Sequence, residues 1–244
     1  MNQITPRLPQ IGFDRYIPLD WIAAVLMVRS GKIQDTEIDT LLDDTGLGRE
    51  AKSKTRTKLN ALGLSPRTDL ADFVNRGVNI FCSTDSHDQL VTFAWGSAIV
   101  SYPFFGKVSE LIGRLTSLQG DCSIAEIHRR MMEKYGERQV VKRATQAVIQ
   151  TQVDWGVVER IADRKRLVRM HQIVTSDEQV VAWLIEAALR YVGKAVPIPT
   201  LSSLTVLYPF VMDQPIAYLA SKSTNLEVRA DGGGSQSVGL RSWQ

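Results

Sequence analysis

Two helical patterns meet across a single glycine, and a β-forming pattern follows them directly. No other stretch narrows the possible folds of this chain as far. Ile124 to Tyr135 reads as a helix opened by Ser123 as N-cap, with Glu126 in capping-box spacing, and closed by Gly136. A second helix begins near Glu137 and runs to about Gln152. Its Val141, Ala144, Val148 and Thr151 are spaced into one inward stripe. Val157, Val158 and Ile161 are then β-formers, as are Leu167, Val168 and Ile173, on either side of the charged turn Asp163-Arg164-Lys165-Arg166. The order is helix, turn, longer helix, then a hairpin with a basic tip.

Charge is segregated along the chain. Residues 123 to 171 hold eleven basic side chains against six acidic ones. Residues 49 to 67 hold six against one, while Asp35, Glu37, Asp39, Asp43 and Asp44 form an acidic block. The net charge of +3 hides this pattern, and it is the pattern that a polyanionic partner meets. The outward face of the second helix carries Arg138, Gln139, Lys142, Arg143, Gln146 and Gln150, which stay neighbours over three turns. Arginine pairs bidentately with guanine, glutamine with adenine, and lysine neutralises phosphate. No acidic residue appears between Arg138 and Gln152, where a solvated helix ordinarily gains i,i+4 pairs. A plain solvated basic face is the competing reading. Against it, Arg164, Lys165 and Arg166 repeat the charge at the hairpin tip. Lys54 and Lys58, one turn apart in AKSKTRTKLNALG, fit a second phosphate-contacting surface or a solvated helix equally well. Trp155 and Val148 are expected to be buried between the second helix and the hairpin.

The expected fold is mainly α. An N-terminal helical bundle covers 1–120, the helix-turn-helix with its hairpin 121–174, and C-terminal helices with a β-hairpin 175–244, packed on the middle segment. After an irregular arm over 1–18, the bundle's helices are Leu19 to Arg29, Thr36 to Asp44, Arg49 to Leu62, Asp69 to Arg76, Gln89 to Tyr102 and Phe104 to Leu118. Beyond 174, helices are expected over Asp177 to Tyr191, capped by Thr175 or Ser176, and over Leu201 to Phe210. Leu226, Val228 and Ala230, then Val238 and Leu240, alternate around a glycine turn, a terminal hairpin expected to pair with the strands of the first.

Two cysteines outside any CxxC spacing suit a reducing compartment, and the opening residues lack the apolar run of a signal peptide, so a cytoplasmic protein is expected. The uncharged stretches Gln89 to Gly106 and Ala195 to Met212 contain Ser, Thr and proline, which suits buried helices better than a membrane span. Enzyme signals are poor. Cys82, Ser83, Asp85, Ser86 and His87 crowd together as helix capping requires, whereas catalytic triads assemble from distant segments. His87, His128 and His171 lack metal-ligand spacing, and GGGS at 232–235 lacks the context of a phosphate loop. No catalytic residue, metal or cofactor is expected.

Residues 121–174 resemble the winged helix-turn-helix superfamily. Ser123 to Tyr135 matches its supporting helix, Arg138 to Gln152 its recognition helix, and Asp154-Trp155-Gly156-Val157-Val158 the turn into the first wing strand. The likeness is one of fold pattern. It implies double-stranded DNA as partner, although winged helices also serve as protein–protein modules. The wider layout, a helical half containing AWGSAIVSYPFFGKVSELIGRL followed by a segment rich in Lys and Arg, is similar to BrxA, a small helical DNA-binding component of bacterial anti-phage (BREX) loci. This second likeness is one of arrangement only, and the present chain is longer. Together the two imply a non-enzymatic DNA-binding protein, either a regulator or the DNA-contacting subunit of a bacterial defence or mobile-element system, with other defence proteins as further partners. The alternative class is an interaction subunit whose basic face meets an acidic protein.

Overall fold

The computed structural model describes residues 10–84 and 86–241, which are mainly helical. The first half contains α1 (Leu19–Arg29), α2 (Thr36–Asp43), α3 (Arg49–Leu59), α4 (Ala71–Phe81), α5 (His87–Ser101) and α6 (Pro103–Gln119). A π-helical turn over Asn60–Leu64 continues α3. Every residue of α5 from Val91 to Val100 is buried, as befits a helix apolar on all sides. Gly77, which reads as a stop signal, instead lies inside α4, and the reason is non-local. The indole of Trp183 packs so close that a Cβ at Gly77 or Gly96 would come within 2.7 or 2.1 Å of it. That indole stacks on Phe73 at 4.6 Å and donates from Nε1 to the Phe73 carbonyl at 3.0 Å.

The second half opens with β1 (Asp121–Ser123), α7 (Ile124–Tyr135), α8 (Gln139–Asp154), β2 (Val158–Ile161) and β3 (Arg166–Arg169). The strands form one antiparallel sheet in the order β1-β3-β2. β1 has no counterpart among the sequence expectations, and it undoes the capping box. Ser123 pairs with Arg166 in the sheet and its side chain caps nothing, while Glu126 turns to Arg129 and Arg130.

After β4 (Ile173–Thr175), α9 (Glu178–Val192) is capped not by Thr175 or Ser176 but by Asp177, whose Oδ1 accepts from the amides of Gln179 and Val180. Then come β5 (Val196–Pro197), α10 (Ile198–Leu201), β6 (Phe210–Met212), α11 (Ile216–Lys222), β7 (Leu226–Gly232) and β8 (Ser235–Leu240). The helix expected over Leu201 to Phe210 does not form. A 3-10 turn at Thr205–Leu207 presents the Val206 carbonyl to the Trp95 indole at 2.9 Å, and β6 joins β4 in parallel. The terminal hairpin pairs with β5, not with the first hairpin, because it covers a separate apolar cluster built on α9 and α11.

The main core runs from Phe13 to Phe210 and crosses both 120 and 174. Residues 10–18 lack regular structure, yet Phe13 and Ile17 are fully buried. Their neighbours fasten to the end of α8. Ile17 donates its amide to Thr151 Oγ1 at 3.1 Å, and Asp154 accepts from the Tyr16 hydroxyl at 2.6 Å and the Leu19 amide at 2.9 Å. Asp154 thereby satisfies an amide in the first turn of α1 that Pro18 cannot cap. No helix among the described residues is long and apolar enough to cross a membrane.

Candidate nucleic-acid interface

α8 is rich in β-branched residues that disfavour helix, so packing must hold it. The inward stripe supplies that packing, since Val141, Ala144, Thr145, Val148, Ile149, Thr151 and Gln152 are all buried. Gln152 anchors the helix by polar contacts as well. Its amide donates to Ser109 Oγ and its carbonyl oxygen accepts from the Tyr208 hydroxyl, both at 2.8 Å. Trp155 closes the helix and is fully buried. It sits deeper than the expected place between helix and hairpin, against Phe105 and Trp95 with its Nε1 donating to the Ile17 carbonyl.

With one side fixed, the other side of α8 is set. Gln139, Lys142, Arg143 and Gln150 are exposed, and Gln146 is half-buried among them. Lys142 and Arg143 have no acidic partner among the described residues. Arg138 departs from this row. It is the N-cap residue, and its Nη2 donates to the Tyr135 carbonyl at 2.9 Å, closing the α7–α8 turn.

The hairpin tip holds Arg164 and Lys165, both exposed and without an acidic partner among the described residues. Ala162, Asp163 and Arg164 form the turn with positive φ angles of 48°, 53° and 64°, a left-handed run without any glycine. Arg166 does not belong to the tip. It is the first residue of β3, and Asp121 on β1 binds its guanidinium bidentately, with Nε to Oδ2 at 2.6 Å. This pairing holds the Asp121 carboxyl below the usual range and the guanidinium above it.

Arg160 joins the two basic elements. From β2 its Nη2 donates to Gln150 Oε1 on α8 at 3.1 Å. Burial, and then the charge of Arg164, lower its pKa from the ordinary value. Arg160 thus links the exposed row of α8 to the strand that leads to the hairpin tip.

Other cations nearby are consumed internally. Arg129 and Arg130 bind Glu126, and Arg129 also Glu133, which together hold Glu126 down to about 2. Arg169 turns inward to Thr116 Oγ1 at 2.6 Å and to the Gly113 carbonyl, and lies over the Tyr208 ring. Lys54 and Lys58, considered for a second phosphate-contacting surface, each have an acidic partner. Lys54 pairs with Glu50 one turn away, and Lys58 is largely buried, 3.2 Å from Asp14 and over the ring of Tyr102.

Arg160 and His128 adjoin the row but escape a reading of local spacing, because each arrives from another element. In the capping loop, His87 faces Asp88 at 3.5 Å, and Cys82 reaches Ser83 and the Asn79 carbonyl. Asp85 lies outside the described residues. Comparison with protein-family models, curated proteins and solved structures finds no match.

Proposed function

We propose that this protein binds double-stranded DNA without enzymatic action, with residues 121–174 serving as a winged helix. In this reading α8 enters the major groove and the β2–β3 hairpin lies along the flanking backbone. One observation carries it: Lys142 and Arg143 on α8 and Arg164 and Lys165 at the tip lack acidic partners among the described residues, and the Arg160–Gln150 bond joins their two elements. The neighbouring cations Arg129, Arg130 and Arg166 are each matched to carboxylates. Leaving four cations unmatched on one surface costs self-repulsion, which a polyanion relieves.

The backbone supports the same reading. Ala162 and Arg164, left-handed without being glycine, disfavour the turn by roughly 1–2 kcal/mol each, whereas Asp163 tolerates that region. Such strain is found where a site requires it. Gln139 and Arg143 have the donors and acceptors that read adenine and guanine edges, while Lys142, Arg164 and Lys165 suit phosphate. The resemblances in sequence support reading it as a regulator or DNA-contacting subunit of a bacterial defence or mobile-element system.

The test is titration of a labelled random-sequence duplex, with polyglutamate as competitor. Micromolar binding that polyglutamate fails to displace supports the proposal. Displacement by polyglutamate at equal charge concentration would transfer the surface to an acidic protein partner.

A further inference from the structure

The basic row of α8 continues toward α7 into a notch of about 330 Å3 lined by His128, Gln139, Lys142, Arg143 and Gln146. No lining side chain carries negative charge. Two cations, two amides and an imidazole converge there, so hydrogen-bond donors far outnumber acceptors. The carboxylates that neutralise this end of α7, Glu126 and Glu133, are already bound to Arg129 and Arg130 and do not line the notch. The His128 ring hydrogen-bonds the Gln146 side chain and lies near Lys142, while its Nδ1 is buried and without a hydrogen-bond partner among the described residues. The fold leaves that polar atom unsatisfied, which buried nitrogens rarely are.

We propose that the notch is a phosphate seat, in which Lys142 neutralises the anion, the Gln146 amide donates to it, and a protonated His128 adds a further charge, while Gln139 and Arg143 keep their base-reading role. The site rests on the DNA-binding reading for its source of phosphate, a backbone phosphodiester, whereas the same chemistry also accepts a free phosphate. Burial, reinforced by Lys142 and partly offset by Gln146, holds the imidazole below its ordinary 6.5 in the empty notch. The charged groups lining the notch with it are Lys142 and Arg143 of α8, both cationic. A seated phosphate screens them and favours the imidazolium. Its pKa then rises, and by linkage the phosphate binds more tightly as pH falls through the interval between the two values.

The experiment is an NMR pH titration of the His128 ring proton in the full chain, assigned with His128→Asn. It is run on the protein alone, with inorganic phosphate, and with a short duplex whose binding is followed separately by fluorescence anisotropy. The expected result is a rise of about one pH unit with duplex, lost in Lys142→Ala. A rise with inorganic phosphate alone, also lost in Lys142→Ala, upholds the seat and assigns it to free phosphate, and the DNA-binding reading fails as well where anisotropy shows no duplex binding. If neither anion moves the His128 titration, the seat is overturned, even where anisotropy shows that duplex binds.

Discussion

Arg160 on β2 donates to Gln150 on α8 at 3.1 Å, and its pKa is lowered by burial and then by the nearby charge of Arg164. Residues sharing such a cluster act together, so Arg160→Ala and Arg164→Ala should be non-additive in duplex binding. A double-mutant cycle is expected to show coupling of about 0.5–3 kcal/mol. Additive losses would mean that helix and hairpin meet DNA independently.

Arg143 and the tip should fail differently. Arg143 projects from the middle of the exposed row of α8, where base edges are read. Arg143→Ala is expected to weaken binding to a selected sequence more than to random duplex, by about 1–3 kcal/mol of discrimination. Selection from a random library followed by paired titrations measures this. Equal loss on both duplexes would assign Arg143 to phosphate.

The strained turn predicts effects of opposite sign. Arg164 has a φ of 64°, which glycine adopts without a steric penalty. Arg164→Gly should raise stability to denaturant by about 1 kcal/mol and weaken duplex binding. A less stable variant would show that the left-handed turn is not under strain.

Trp155 should matter for folding alone. Its indole is fully buried against Phe105 and Trp95 and bonded to the Ile17 carbonyl. Trp155→Ala is expected to cost about 3–5 kcal/mol in chemical denaturation. A variant with parental stability but no DNA binding would make the tryptophan a contact residue.

What the sequence reveals of this fold depends on how local each cause is. α1 and α7 run over their expected residues because their boundaries are marked nearby, Gly136 ending α7 at a φ of 87°. The exposed row of α8 is legible for the same reason, since its buried stripe repeats within one element. β1 escapes notice because three residues carry no pattern, and the Arg166 that Asp121 binds lies 45 residues away. That same distant pairing takes Arg166 out of the tip to which its charged neighbours assign it. Gly77 reads as a stop only until Trp183 is seen to occupy the space that a side chain would need. Lys54 and Lys58 look free in sequence, but Lys58 meets Asp14 from the irregular arm.

The central claim, that Lys142, Arg143, Arg164 and Lys165 form one DNA-binding surface, is tested most directly by the salt dependence of random-duplex affinity. Three neutralised phosphates, at Lys142, Arg164 and Lys165, predict a fall in log affinity against log salt with a slope steeper by roughly two to three units than that of the four-alanine variant. That variant should melt like the parent, because none of the four side chains makes an ion pair among the described residues. An unchanged slope in a folded four-alanine variant, or no duplex binding by the parent at low salt, would contradict the account.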